Sequence, residues 1–498
     1  MKNDFLGLTN KLEVNMKTLK IGFYILLIIL FVVPLNLLAQ NKEVAITTSS
    51  KAALDLFLKG RDKLENFDSP KAALLFNQAI QADPDFAMAY LYRSQSGGGF
   101  KIYQQNLDKA VSLVDKVSIG EKYEILYSKA SADGNGMKQK EYLDLLLKNF
   151  PTDKRVQTDV AGYYYGMNDF STALVHFNKA AELDKNYAPA FNMIGYCQSS
   201  LNNYEEAEKA FQTYIKLSPN SPNGYDSYAE LLLKMGKYDE SIVQYKKALE
   251  FDSTFSFSLT GIGNNYIFKG DYANARKYYQ EYYDEAPMFG GKLSALFWKA
   301  VSFIHEGKVE DAISAFDEYR TLAEKANQTT TVIMSYAYQE IILIEIGNPS
   351  EGMKCYEKAI DLIEKSILPE TVTENFRTYA MLWHFNALTA NGELEKAKTE
   401  AVKCQQKVES RMNPGEEMTL NSLFGLLEIK NGDYEKAIQY FSKADTEDPL
   451  NWYYQAVAYN KKGDTQNANK LLEKITKSNV NSLNLALVRN RAMEELKK

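Results

Sequence analysis

Cysteine and histidine are scarce, with three of each in 498 residues. Cys197, Cys355 and Cys404 cannot staple a chain this long, and their odd number leaves at least one thiol free. His176, His305 and His384 are too far apart in sequence to form a local metal pair. With only 27 Gly and 12 Pro, collagen-like and mucin-like chains are excluded. Basic surplus is missing too: 58 Lys and Arg face 64 Asp and Glu, a formal charge of −6. A general nucleic-acid binder needs a basic surface to neutralise phosphate, so that class is excluded. Apolar residues at 45% and charged residues at 24% rule out wholesale disorder. The length suits about three ordinary domains or one long repetitive one.

Long apolar runs are also lacking, except one. Residues 21–33 are uninterrupted apolar or aromatic, counting Gly22 and Tyr24, preceded by Lys17 and Lys20 and followed by Pro34, Asn36 and Leu37-Leu38-Ala39. A basic flank, a short apolar core and a small residue at its end describe a secretory signal peptide over residues 1–39, cleaved after Ala39. The competing reading is an uncleaved N-terminal membrane anchor, but a spanning helix needs about 20 apolar residues. Gln40 stands where a lipoprotein would carry its cysteine, and Met16 offers an alternative start. The expected product lies outside the cytoplasm, periplasmic or extracellular, without stable membrane insertion. Cleavage leaves 54 basic and 62 acidic residues, net −8.

Internal repetition organises the rest. Gly60, Ala72, Phe76, Ala79 and Pro84 stand at offsets 0, 12, 16, 19 and 24. The same offsets give Ala207, Phe211, Tyr214 and Pro219 from Gly195, and Ala275, Tyr279, Tyr282 and Pro287 from Gly263. From Gly425 they give Ala437, Phe441, Ala444 and Pro449. Ala161, Gly195, Ala229 and Gly263 keep a spacing of 34. Small residues at the first two places let two antiparallel helices approach, the aromatic fills the space between that pair and the next, and proline stops the second helix. Turn signals fall inside each unit: Asn168-Asp169, Asn202-Asn203, Gly236-Lys237, Gly270-Asp271 and Asn431-Gly432-Asp433.

This pattern resembles the tetratricopeptide repeat family over nearly all of the chain after the apolar run. The resemblance implies an all-α, right-handed superhelical solenoid of about twelve helix pairs, and it assigns no activity, because the motif positions are packing positions. The stretch Asn223-Gly224-Tyr225-Asp226-Ser227-Tyr228-Ala229-Glu230 is similar to one common in exported bacterial repeat proteins. After a short linker at 40–52, the expected organisation is N-terminal units at 53–150, irregular from 87, and a regular array at 151–328. Degenerate units follow at 329–412, then C-terminal units at 413–480 and a capping helix within 481–498 that shields the last repeat. The match weakens where Ser96-Gly97-Gly98-Gly99-Phe100 interrupts a pair, and again where Gly352 and Ala401 replace the expected Ala and aromatic.

Catalytic signatures are missing. No HExxH, GxSxG or GxxxxGK[ST] pattern occurs, and Gly261-Ile262-Gly263 has Tyr266 where a dinucleotide fingerprint needs its third glycine. Asp133-Gly134-Asn135-Gly136 opens like a calcium loop, but Met137 and Lys138 follow, so it reads as an inter-helix turn. No cofactor and no metal is implied. What remains is the concave face, lined by the first helix of each unit. Offsets of −3 and +1 from the small residue place Asn192 and Tyr196, Asp226 and Glu230, Thr260 and Asn264, and Phe297 and Val301 on it, with Arg155 and Tyr165 on the N-terminal side. An acidic and polar centre passing into an apolar, aromatic region suits an extended peptide with a basic residue and an apolar anchor. The leading expectation is a non-enzymatic exported scaffold binding a protein or peptide in this groove. Two others stay open: a carbohydrate- or cell-wall-associated adaptor, and a hydrolase or transferase site within 87–150. Per residue, a solvated groove face without a ligand competes with all of these.

Overall fold

Twelve antiparallel helix pairs followed by one last helix account for nearly all of residues 43–286 and 288–498, which a computed structural model describes. These 25 helices form the all-α paired-repeat solenoid that the glycine–aromatic spacing implies. The apolar run, the proposed cleavage point and Pro287 lie outside the described residues. Among the described residues no helix is long and apolar enough to cross a membrane.

The unit is built by turn chemistry. Between its two helices the chain adopts a left-handed conformation at Asn168, Asn202, Gly236, Gly270 and Gly432, with φ of 57, 62, 76, 76 and 83°. Only glycine and, with a side chain able to bond locally, asparagine occupy this region readily. Aspartate then caps the second helix: Asp169, Asp271 and Asp433 accept from the backbone N–H of Thr172, Asn274 and Lys436. Ser69–Ala82 and Tyr204–Leu217 stop with one residue left before Pro84 and Pro219, whereas Tyr434–Phe441 stops earlier and Pro449 opens the next helix instead of ending this one.

Packing explains the small residues more sharply than mutual helix approach does. A Cβ at Gly60, Gly195, Gly263 or Gly425 would stand 2.8, 2.6, 2.4 or 2.7 Å from the ring of Phe76, Phe211, Tyr279 or Phe441. Each ring belongs to the second helix of the same unit and is at most 2% exposed. The aromatic therefore lies over the glycine of its own pair. A fully buried ring of this kind contributes about 1.5–3 kcal/mol.

Helix length changes along the chain. The pairs from Phe289–Glu306 to Pro414–Asn431 include first helices of 17 to 21 residues, against 12 to 13 in the pairs from Lys154–Gly166 to Phe257–Phe268. The insertion Ser96-Gly97-Gly98-Gly99 is the turn of a short pair, Ala87–Gln95 with Phe100–Ser112. Asp133-Gly134-Asn135-Gly136 is a turn as well, with Asn135 capping Gly136–Asn149 through the N–H of Lys138.

The superhelix winds far enough to touch itself. Lys71 pairs with Asp252 at 3.0 Å, Asn375 donates to the Ala132 carbonyl at 2.9 Å, and Asn168 donates to Asp445 at 2.7 Å. The first and last described segments are docked onto it. Residues 43–50 run extended, with Val44 N–H on Asp153, Thr47 N–H on Glu121 and Ser49 N–H on Asp83. At the other end Leu483–Glu495 does more than cap the last unit. Leu485 and Val488, both fully buried, share one core with Ala300, Val301 and Ile304 of Phe289–Glu306 and with Tyr453 and Ala456 of Pro449–Lys462. Arg491 also pairs with Glu345 of Thr329–Glu345 at 2.6 Å.

Candidate functional site

The sequence places Asp226 and Glu230 four residues apart on Pro222–Lys234, hence on one face. Asp226 is half-buried and accepts from the Ser258 hydroxyl at 2.5 Å. Glu230 is exposed and accepts from the Tyr196 hydroxyl at 2.5 Å, with Ser227 Oγ 3.1 Å from the same phenol oxygen. Neither carboxylate forms an ion pair among the described residues. Surrounding protein and then the neighbouring Glu230 push Asp226 up to about 8 against the pull of Ser258. Glu230 is raised for the first of those reasons, with Tyr196 opposing.

These two acids line a cavity of about 470 Å³, which falls in the usual range for ligand pockets. Its walls come from consecutive first helices: Tyr165, Tyr196, the acid pair with Lys234, then Thr260 with Asn264, then Ser294 with Trp298. Tyr245, from a second helix, closes part of the floor. The Thr260 hydroxyl has no partner among the described residues. Lys234 turns away from the acids to donate to the Ser199 carbonyl at 2.7 Å. Asn264 accepts from the Tyr279 hydroxyl and from Asn481, both at 2.8 Å.

Of the ten groove positions expected from the sequence, Tyr165, Tyr196, Asp226, Glu230, Thr260 and Asn264 come together here. The other four lie elsewhere. Arg155 is held by Glu65 at 2.8 Å, beside Tyr187. Asn192 is 1% exposed and neither end of its amide finds a partner among the described residues. Phe297 packs on Phe316 and Tyr338, and Val301 beside it is fully buried. Counting from Ala300, which lies 37 residues after Gly263, places Phe297 on the groove, whereas the 34-residue step from Thr260 and Asn264 leads to Ser294 and Trp298, which line the cavity. Lys234, Ser258 and residues 479–481 are further participants outside the expected set. Keeping the period of 34 finds Trp298, but no local signal points to 479–481.

The scarce residues are structural in their surroundings. His176 bonds Gln157 at 2.7 Å, His305 donates to Asn481 at 2.9 Å, and His384 stacks on Tyr356. All three thiols are buried and unpaired, and burial pushes Cys197 and Cys404 up to about 12. Among the described residues no group of three or more His, Cys, Asp or Glu side chains is arranged to hold a metal.

Stacked antiparallel pairs whose first helices line a common cavity define a helix-pair repeat solenoid. Tetratricopeptide repeat profiles match residues 188–221, 223–255, 260–327, 420–449 and 451–482. The chain is a tetratricopeptide repeat protein, a class that typically serves as protein–protein interaction scaffolds. It is similar to the human Superkiller complex protein 3, 29% identical over 173 residues, covering 33% of this chain and 11% of that protein. It is also similar to a TPR repeat-containing protein of Methanocaldococcus jannaschii, 25% identical over 246 residues, covering 40% of this chain and 43% of that one. The chain thus spans less than half the length of either relative. Among solved structures, a tetratricopeptide repeat protein from Parabacteroides merdae aligns over 57% of this chain and 99% of its own, with 15% identity and a TM-score of 0.34. YrrB, described as a TPR protein with an unusual peptide-binding site, aligns over 36% of this chain and 91% of its own, with 17% identity and a TM-score of 0.25.

Proposed function

We propose that the protein is a non-enzymatic, exported scaffold that holds a partner protein or peptide by a basic group seated on Asp226 and Glu230. One observation carries this: two adjacent carboxylates face a cavity, bonded only to hydroxyls, with no cation within 4 Å among the described residues. A charge-assisted bond to a partly desolvated ammonium or guanidinium contributes on the order of 1.5–3 kcal/mol. Trp298 and Phe257 supply an apolar flank for the neighbouring part of the partner. Export rests on the apolar run at 21–33 and its flanks.

A partner running as a continuous strand along this face meets residues 479–481, which occupy it. The basic group therefore enters from a projecting side chain or a chain terminus. The test is affinity capture from an envelope extract with the mature chain and with the Asp226→Asn, Glu230→Gln double variant, compared by quantitative mass spectrometry. The expected result is a partner retained at least about tenfold better by the parent, with the advantage shrinking as salt rises. Equal retention by both baits at low salt overturns the reading.

A further inference from the structure

Residues 478–482 form a non-helical strap across the inner face, and their contacts run along three successive first helices. Asn479 donates to the Lys234 carbonyl at 3.4 Å, Asn481 donates to Asn264 at 2.8 Å, and His305 donates to Asn481 at 2.9 Å. The Tyr238 hydroxyl donates to Asn479 at 2.9 Å. Asn479, Val480 and Asn481 wall the acidic cavity on one side, and Asn479 and Val480 with Ser478 and Ser482 help to wall a second cavity of about 570 Å³. The strap is short and fastened at both ends. It leaves Thr465–Lys477, where Leu472 and Ile475 are buried, and enters Leu483–Glu495, where Leu485 and Val488 are buried. Swinging it aside means unpacking one of those helices. The acidic cavity is accordingly a recess with a fixed wall, and its occupant has to fit within about 470 Å³.

The lining selects the chemistry. Asp226 and Glu230 stand without a basic partner within 4 Å among the described residues, and the one lysine in the wall is engaged by the Ser199 carbonyl. A cation seated between the two acids favours the ionised form of Asp226, whose pKa burial and Glu230 otherwise raise to about 8. Tyr165, Tyr196, Phe257 and Trp298 add aromatic surface, whose π-electrons attract cations. The Thr260 hydroxyl and the Asn481 amide stand in the same lining as polar contacts for a second end. We infer that this recess is a binding site for a small aliphatic ammonium compound, a mono- or diamine, with the ammonium on Asp226 and Glu230 and the carbon chain against the aromatic wall. The inference rests on the acidic centre being where ligands bind, and it names a free amine as a ligand that competes there with the basic group of a partner protein.

Calorimetric titration of the full chain with 1,4-diaminobutane, 1,4-butanediol and the blocked peptide acetyl-Ala-Ala-Lys-Ala-Ala-amide separates these sources. The expected result is one diamine per chain, a change in tryptophan fluorescence from Trp298, and no binding of the uncharged diol, which has nearly the same shape. The Asp226→Asn, Glu230→Gln variant, with helix content checked by circular dichroism, should bind the diamine at least tenfold more weakly. The diol comparison uses the parent chain and so does not depend on that variant folding. Diamine binding that survives the double substitution, or diol binding as tight as the diamine, overturns the inference. If the peptide binds through the two acids and the diamine does not, the amine site falls while the scaffold reading stands. If neither binds, the inference falls and the acidic centre is lost to the scaffold reading as well.

Discussion

At Gly263 the Tyr279 ring lies 2.4 Å from where a Cβ would sit, and at Gly261 the Tyr245 ring lies at 2.1 Å. Both rings are at most 2% exposed, so neither can rotate out to make room. Gly263→Leu should therefore destabilise its unit by about 1–3 kcal/mol, the usual range for an enlarged core residue. Because coupling in such arrays runs between neighbours, hydrogen exchange should rise first in residues 222–306 and leave 51–112 unchanged. Unaltered exchange and melting would show that the glycine does not make this contact. This part of the fold was legible in the sequence because small residue and ring are only 16 residues apart and every regular unit repeats the pair, with Gly or Ala at the small position. The acid pair was legible for the same reason, since Asp226 and Glu230 sit on a first helix of ordinary length. Ser258, which bonds Asp226, and Lys234, which turns away, follow from side-chain geometry that spacing does not encode.

In the pair that starts with Phe289–Glu306 the choice of small residue decides the outcome, and the strap shows what periodicity cannot reach. Counting −3 from Ala300, 37 residues after Gly263, lands on Phe297 in the core, whereas a step of 34 from Thr260 and Asn264 lands on Ser294 and Trp298 in the cavity. The strap has no repeat of its own, and its partners at Tyr238, Asn264 and His305 are 241, 217 and 176 residues away. Its hold depends on a histidine that burial keeps neutral. His305 is 5% exposed and its pKa is lowered from 6.5 to about 4, by burial above all and also by Arg489, with Asn481 opposing. A histidine lowered in the fold binds protons better when released, so its share of stability is present above about 6.5 and is lost as pH falls toward 4. The loss amounts to on the order of 3 kcal/mol. Exchange of the amides at 478–482, corrected for intrinsic rates, should accelerate as pH falls through that window. In His305→Gln, which keeps a side-chain donor for Asn481, it should stay flat. A flat profile in the parent as well would remove His305 from the latch.

At the scale of the whole molecule, the last helix is what turns a groove into a recess. A terminal cap shields one unit, whereas Leu483–Glu495 joins the core of Phe289–Glu306, pairs with Glu345 through Arg491 and covers Pro449–Lys462. It thereby ties units in the middle of the chain to the units at its end, and the strap crosses the acidic cavity because that tie holds both its ends. The sequence marks this helix only as a cap for the last repeat; its second docking surface depends on how far the superhelix turns, a sum over many small inter-unit rotations that no local pattern records. Hydrogen exchange on a chain ending at Lys477, compared with the full chain, tests this closure most directly. The account requires protection to fall both in 449–477 and, some 150 residues away in sequence, in Phe289–Glu306 and around Asn264. Loss of protection confined to 449–477 would contradict it, because the last helix would then be a simple cap and the acidic cavity an open groove.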